Sequence, residues 1–160
     1  MGFILSAGVR IRRALPSDRD SLSGLRHALW PESSAEEHGR ELEAILAGNA
    51  PGTLPQVIFV AEPQDQSLLG FLEAGLRSHA DHCDPARPVG YVEGWYVAEA
   101  RRRHGIGKQL LEAAEAWARG QGCVEMASDA QIDNPLSLRV HESLGFQVVE
   151  RVILFRKALR

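Results

Sequence analysis

The chain has 160 residues, of which 44% are hydrophobic and 24% are charged. Such a composition is typical of a soluble globular protein, and we expect residues 1–160 to form a single domain whose core needs neither metal nor disulfide. The formal net charge is −3. Because dedicated nucleic-acid binders usually carry a basic excess, this charge argues against a nucleic-acid partner.

Targeting signals and cysteine usage point to one compartment. No apolar run reaches the length of about 18 residues that predicts a membrane-spanning helix, and the start of the chain lacks the basic and apolar regions of a signal peptide. The two cysteines, Cys83 and Cys123, are too few for a disulfide scaffold. We therefore expect a cytoplasmic protein with no membrane partner.

The first third of the chain predicts a strand followed by two helices. Val9–Arg13 alternates apolar and basic side chains, as a strand with one buried face does. Pro16 to Asp18 marks the start of a helix, which the Trp30-Pro31 pair interrupts. Ser34 and Glu37 have the spacing of a capping box and open a second helix.

The middle of the chain predicts three strands. Val57–Val60 and Leu68–Leu72 are short apolar runs separated by a polar turn, which favours an antiparallel pair. Ser78–Pro88 is rich in His, Asp and Pro and predicts an exposed loop. Val89–Val97 is the third strand.

The remaining elements complete a mixed α/β layer fold. A strongly amphipathic helix follows Gly107, and then come a short strand at Val124–Ala127, a helix at Asn134–Leu144 and a final strand at Gln147–Phe155. The predicted order is strand, two helices, three strands, helix, strand, helix, strand.

A basic, glycine-containing turn before that amphipathic helix carries the clearest chemical signal. A helix N-terminus offers unpaired backbone N–H groups and the positive end of the helix dipole, and Gly105 and Gly107 lack the Cβ that would keep phosphate oxygens away. This chemistry suits a pyrophosphate, although spacing alone is equally compatible with a capped helix and a solvated basic rim. The positive charge around the turn comes from Arg102, Arg103, His104 and Lys108.

The same turn carries a family resemblance. The string Arg102-Arg-His-Gly105-Ile-Gly107 matches the [QR]-x-x-G-x-[GA] signature and resembles the GCN5-related N-acetyltransferases. The resemblance implies a GNAT fold, with a central and mostly antiparallel sheet, a splay between the fourth and fifth strands, and helices on both faces. It also implies acetyl-CoA as the co-substrate and no metal.

The resemblance implies a role for each residue at the cofactor. The signature would enclose the pyrophosphate of acetyl-CoA, the Val97 N–H would polarise the thioester carbonyl, and Asn134 would hydrogen-bond the pantetheine. The residues expected to bind the cofactor are Trp95, Tyr96, Val97, Arg102, Arg103, His104, Gly105, Ile106, Gly107, Lys108 and Asn134.

Several shorter strings are similar to the aminoglycoside 6'-N-acetyltransferases, among them Leu29-Trp30-Pro31, Val92-Glu93-Gly94 and Val140 to Phe146. This resemblance implies acetylation of the 6'-amino group of antibiotics such as kanamycin and tobramycin, and hence resistance. It further implies a homodimer that supplies one substrate contact across its interface. The residues it assigns to the substrate are Trp30, Glu93, Asp129 and Glu150.

The chemistry of the substrate and the reaction adds two candidates. A polycationic aminoglycoside needs carboxylates around its ammonium groups, and Glu73, at the end of a predicted strand beside the cofactor site, is a further candidate contact, as is Asp133. The attacking amine must lose a proton, and Glu93 is the expected acceptor, directly or through water. We expect direct attack on the thioester in a ternary complex. His141 stands where many family members carry a Tyr that protonates the leaving thiolate, and the substrate amine or water are alternative donors.

Other interpretations remain open on sequence alone. Trp30 is compatible with a core position, Asp129 with a turn and Glu150 with a solvated face. The loop from His79 to Asp84 contains metal-capable side chains without a known zinc spacing, and it has Ala80 where the related enzymes carry an aromatic residue. The alternative functions are acetylation of another amine, such as a protein N-terminus or a polyamine, and a noncatalytic acyl-CoA-binding module.

Overall fold

The computed structural model describes residues 8–48, 53–64 and 67–159. By its internal contacts the chain divides into two compact units, Met1–Ser128 and Asp129–Arg160. The predicted absence of a leader rests on the first residues of the chain, and residues 1–7 lie outside the described part. Within that part, no helix combines the length and the hydropathy needed to cross a membrane.

The first unit is built on a mixed sheet of five strands in the order β1-β2-β3-β4-β5. Strands β1 to β4 pair as antiparallel neighbours, and β5 runs parallel to β4. The predicted mostly antiparallel sheet is thus confirmed. The strands are β1 (Val9–Arg13), β2 (Gln56–Pro63), β3 (Gly70–Arg77), β4 (Val89–Val97) and β5 (Met126–Ser128).

The described residues form four α-helices, three of them in the first unit and the fourth in the second. They are α1 (Arg19–Leu29), α2 (Ala35–Leu46), α3 (Ile106–Gly120) and α4 (Pro135–Ser143). Two single 3-10 turns, Pro16–Asp18 and Glu99–Arg101, precede α1 and α3. The predicted capping box opens α2: the Glu37 N–H donates to Ser34 Oγ at 3.2 Å, and the Ser34 N–H donates to Glu37 Oε2 at 2.8 Å.

The helices cover both faces of the sheet. On one face α1 and α2 bury Leu22 and Leu42 against Ile58, Val60 and Phe71. On the other, α3 packs its buried apolar side against β2, β3 and β4. Because side chains of a strand alternate between faces, the buried runs of β2 and β3 read as nearly continuous apolar segments.

A β-bulge interrupts the pairing of β3 with β4. Glu73 pairs with Gly94 while Ala74 pairs with Val92, so that Glu93 is the extra residue of β4. A Cβ placed on Gly90 would meet Ala118 of α3, whereas one placed on Gly94 would meet Trp30 at the end of α1. The bulge therefore switches the face on which the even-numbered residues of β4 lie.

Several predicted strands differ from the structure, and the one predicted at Leu68–Leu72 is β3, Gly70–Arg77, which begins later and extends further. The strand predicted at Val124–Ala127 is β5, Met126–Ser128, because pairing with Gly90 to Val92 fixes its position. The final strand predicted at Gln147–Phe155 is wrong for the described chain, which has no regular secondary structure over residues 146–159. Alternating apolar residues favour an extended backbone, but a strand forms only where a neighbouring strand accepts its hydrogen bonds.

Candidate active site

The C-terminal end of β4 presents backbone groups away from β3. The Ala98 N–H donates to the Leu69 carbonyl at 2.8 Å. In an antiparallel pair consecutive residues alternate in direction, so the Val97 N–H points to the opposite side, toward β5. The pairing with β5 covers only Gly90 to Val92. The two strands thus separate before Val97, which is the splay expected from the sequence.

The Arg102 side chain ties the turn after β4 to the end of that strand. Its Nε donates to the Val97 carbonyl at 2.9 Å, and its guanidinium carbon lies 5.5 Å from the centroid of the Tyr96 ring. The signature arginine therefore supports the end of β4.

The turn itself adopts a backbone that exposes amide groups at the start of α3. Arg103 and Gly105 have positive φ values of 64° and 78°, and the ring Nδ1 of His104 lies 2.7 Å from the Arg102 carbonyl oxygen. The first helical bond of α3 runs from Gln109 to Gly105. The N–H groups of residues 106–108 therefore precede the helical ladder.

No side chain caps the N-terminus of α3 within the described residues. Asp18 at the N-cap of α1 makes no such bond either, whereas Ser34 caps α2 and the Asn134 Oδ1 accepts the Ser137 N–H of α4 at 3.0 Å. The amides of α3, together with the exposed Lys108 side chain, are suited to an anion.

Gly107 lies in the first turn of α3, against the Trp95 indole. A Cβ at this position would lie 3.4 Å from the Trp95 indole. Trp95 therefore lies across the first turn of α3, next to Ile106, which is buried. In the first unit, the predicted cofactor residues lie at the end of β4 and in the turn that leads into α3.

Glu93 lies on the face of β4 that α1 covers, and Arg77 binds its carboxylate. Arg77 Nε donates to Oε1 at 3.1 Å and Arg77 Nη2 donates to Oε2 at 2.9 Å. The Arg77 guanidinium stacks on Tyr91, 3.3 Å from the ring centroid. Sequence analysis did not identify Arg77, because its partner depends on strand register and on the bulge.

Trp30 is half-buried and lies directly against β4. A Cβ on Gly94 would come within 2.7 Å of Trp30 Cζ2. The other side of the indole packs on Phe71, at 6.2 Å between ring centroids, and on His38, at 6.4 Å. Trp30 is thus both a partner of the core and the neighbour of the Glu93 backbone.

Glu73 is buried in the middle of β3 rather than at a strand end, with 5% of its surface exposed. Its Oε2 atom lies 3.7 Å from the Nε of the buried Arg26, which also pairs with Glu41 at 2.5 Å. Burial raises the pKa of Glu73 above its usual range, and the Arg26 charge opposes this shift. The Glu73 carboxyl thus lies inside the fold, and the nearby Arg26 guanidinium lies 5.0 Å from the centroid of the Trp30 ring.

The second unit carries the remaining candidates. The His141 Nδ1 lies 2.8 Å from the Ser137 carbonyl, and its ring packs edge-on against Phe146 at 5.1 Å. Asp129 and Glu150 are exposed.

Acidic groups make hydrogen bonds within and around the loop after β3. The Asp84 N–H donates to Glu125 Oε2 at 2.7 Å, and His79 lies 3.2 Å from Asp81. Across the described ranges, no three His, Cys, Asp or Glu side chains come together as a metal site would require.

Comparison with known proteins identifies the family to which this chain belongs. Residues 20–146 match the model of the acetyltransferase (GNAT) family, and the chain belongs to that family. The fold and the family expected from the sequence are therefore confirmed.

Individual relatives are more specific. The chain is 39% identical over 149 residues to aminoglycoside N(6')-acetyltransferase type 1 from Klebsiella aerogenes, covering 93% of this chain and 96% of the relative. The enzyme of the same name from Serratia marcescens is 40% identical over 146 residues, covering 89% and 96%. The structure of AAC(6')-Iy in complex with the bisubstrate analogue CoA-S-monomethyl-acetylneamine superposes with a TM-score of 0.85 at 34% identity, covering 96% of this chain and all of that one.

Proposed function

We propose that the protein transfers the acetyl group of acetyl-CoA to the 6'-amino group of aminoglycoside antibiotics and thereby confers resistance to them. The observation that carries this proposal is the similarity over nearly the whole chain to aminoglycoside N(6')-acetyltransferases. The structure of a relative with a bisubstrate analogue, which joins coenzyme A to an acetylneamine, supports the same pairing of substrates.

Acetyl-CoA binds along the end of β4 and the start of α3. The amides of residues 106–108 and the basic side chains of the turn hold the pyrophosphate, since an uncapped helix start attracts an anion. Trp95 and Tyr96 line the pantetheine, and Asn134 hydrogen-bonds it. The Val97 N–H donates to the thioester carbonyl oxygen and stabilises the negative charge that develops there.

The aminoglycoside binds on the face of β4 that carries Glu93. Its ammonium groups bind the carboxylates of Glu93 and Asp129, while Trp30 provides an apolar wall next to Gly94. Glu150 completes this set, and the loop with Ala80 contributes no aromatic contact. Glu73 is buried, so it supports this site from inside the fold and does not contact the substrate directly.

The reaction is a direct transfer within the ternary complex. Glu93 accepts a proton from the substrate ammonium, directly or through water, and the neutral amine then attacks the thioester carbonyl carbon. A carbon–nitrogen bond forms, the carbon–sulfur bond breaks, and the amine releases its second proton to water. The thiolate of coenzyme A takes up a proton, for which His141 Nε2 is the donor.

The functional form is a homodimer assembled through the C-terminal segment, residues 147–159. Several large apolar side chains of this segment are exposed, including Ile153 at 79% and Phe155 at 92%. Surfaces of this kind seldom remain exposed on a soluble monomer. A second copy of the chain would cover them and would carry Glu150 to the neighbouring site. Light scattering of the full chain tests this assembly: the mass of a dimer supports it, and a monomer that has full activity contradicts it.

The reaction takes place in the cytoplasm, where both free thiols, Cys83 and Cys123, stay reduced. A thiol-release assay with neomycin and paromomycin tests the proposed activity. These two antibiotics differ only in carrying an amine or a hydroxyl at the 6' carbon. We expect acetyl-CoA turnover with neomycin alone. Equal turnover with both would contradict the 6' assignment, turnover only with peptides or polyamines would favour another amine substrate, and binding without turnover would favour an acyl-CoA-binding module.

A further inference from the structure

On the strand pair β3–β4, the Arg77 guanidinium forms two hydrogen bonds with the Glu93 carboxylate and stacks on the Tyr91 ring. Arg77 donates to both carboxylate oxygens of Glu93 through Nε and Nη2, at 3.1 Å and 2.9 Å. A carboxylate has about four lone-pair positions, so this pair of bonds occupies two of them. It fixes the plane of the carboxylate and the direction of the positions that remain.

Arg77 is anchored independently of Glu93. Its guanidinium lies flat on the Tyr91 ring, 3.3 Å from the centroid, in the stacked arrangement that arginine favours over lysine. The register pairs Gly75 with Tyr91, which places Arg77 and Tyr91 on the same face of neighbouring strands. The sheet therefore determines where the guanidinium lies.

The bulge explains why Glu93 needs such a support. As the extra residue of β4, Glu93 has no partner of its own in the register with β3. Its side chain is 27% exposed, so water alone would leave several rotamers accessible. The two hydrogen bonds from Arg77 select one of them.

We propose that Arg77 is a positioning residue for the aminoglycoside site, which holds the Glu93 carboxylate in the orientation that receives a substrate ammonium group. This inference rests on the proposed function, in which Glu93 binds that group. Because Tyr91 retains the guanidinium, the substrate binds beside Arg77 rather than in its place. The three residues form a chain from Tyr91 through Arg77 to Glu93.

Steady-state kinetics of R77M test the proposal. The variant removes both hydrogen bonds and keeps an apolar side chain over Tyr91. We expect the KM for tobramycin to rise about tenfold, while the KM for acetyl-CoA changes less than about twofold. R77K restores the charge without the planar fork and should recover only part of the loss. A merely structural role would change both KM values.

The control variant is R119M. Arg119 also donates to a glutamate, Glu115, at 2.9 Å, but on α3. Its replacement changes the net charge by the same amount, and we expect neither KM to change. If R77M proves unstable by thermal denaturation, R77Q provides the same comparison with a neutral side chain.

A double-mutant cycle separates this inference from the function on which it rests. E93Q alone should raise the KM for tobramycin, and R77M should add little in the E93Q background. If E93Q has its effect while R77M leaves the KM unchanged or lowers it, the positioning role is contradicted and the substrate site stands. If E93Q itself has no effect, Glu93 does not bind the ammonium group and the positioning role fails with it, whereas acetyl transfer to the 6'-amine still stands or falls by the comparison of neomycin with paromomycin.

Discussion

The indole of Trp30 lies against the Cα of Gly94, the residue that follows Glu93 on β4. A side chain at Gly94 would come within 2.7 Å of Trp30 Cζ2. Trp30, the first residue after α1, is therefore in direct contact with the strand that carries the candidate base. This contact sets the distance between the apolar wall and the carboxylate that we assign to the substrate.

Replacing Gly94 with Ala should displace Trp30 and destabilise the fold. Overpacking of this kind typically costs about 1–3 kcal/mol, and urea denaturation measures it. The control is Gly24→Ala, because Gly24 lies in α1 with open space around it, and alanine there should not lower the stability. A smaller residue at position 30, as in the pair Gly94→Ala with Trp30→Leu, should make the two effects less than additive. Strict additivity would mean that the two residues do not share this contact.

Gly107→Ala tests where the pyrophosphate binds. The added Cβ would lie 3.4 Å from Trp95, a contact that the fold accommodates, but it would stand at the amides that we assign to the phosphates. We expect the Kd for acetyl-CoA to rise about tenfold, and the Kd for S-acetylpantetheine, which lacks the pyrophosphate, to stay the same. Gly120→Ala, at the open end of α3, is the matched control. Equal losses for both ligands would place the pyrophosphate elsewhere.

Glu73 should make the protein less stable as the pH rises. Its folded pKa lies above the ordinary value of 4.5, chiefly because the group is buried. The folded protein keeps this proton at pH values where the unfolded chain has released it, so the free energy of unfolding decreases from about pH 4.5 up through the raised pKa. E73Q removes this titration. We expect the variant to gain stability relative to the wild type across that window, as urea denaturation at several pH values would measure.

The pKa of Asp18 is shifted in the opposite direction, so its effect on stability has the opposite dependence on pH. The hydrogen bond from Arg12 lowers the pKa of this carboxyl, so its contribution is present above the ordinary carboxyl value and is lost as the pH falls through the lowered pKa. D18N should therefore be less stable than the wild type at neutral pH and approach it in acid. If E73Q showed the same trend as D18N, the ion pair with Arg26 would outweigh the cost of burying Glu73.

His141→Phe tests the donor of the last proton. The variant keeps an aromatic ring against Phe146 but has no proton to give. Loss of a general acid typically lowers kcat by about 10²-fold or more, and we expect this decrease without a change in either KM. A kcat within about twofold of the wild type would instead assign the proton to water or to the substrate amine.

The sequence predicted most of the fold because its signals are local. The capping box at Ser34 and the extended run of β4 each depend on neighbouring residues, and both appear in the structure. The strand expected at Gln147–Phe155 failed for the opposite reason. Its formation depends on a partner strand, which a pattern of apolar residues does not supply.

In the candidate site, too, the sequence indicates the features that are local in the chain and misses those that depend on distant residues. The glycine-containing turn is contiguous in the chain, so its motif identified the uncapped start of α3. Arg77 is 16 residues from Glu93 in sequence, and only the register of β3 with β4 brings them together. The burial of Glu73 and its pairing with Arg26 also follow from packing between α1 and β3, which no local pattern reveals.

The position of the transferred acetyl group tests the proposed 6'-N-acetyltransferase activity most directly. Tobramycin can be acetylated with the purified full chain and acetyl-CoA, and the product examined by two-dimensional NMR. We expect one new amide proton that correlates with the two hydrogens of the 6' methylene carbon. An amide proton that correlates with a ring methine would mean that another amine reacts, and it would contradict the proposed function.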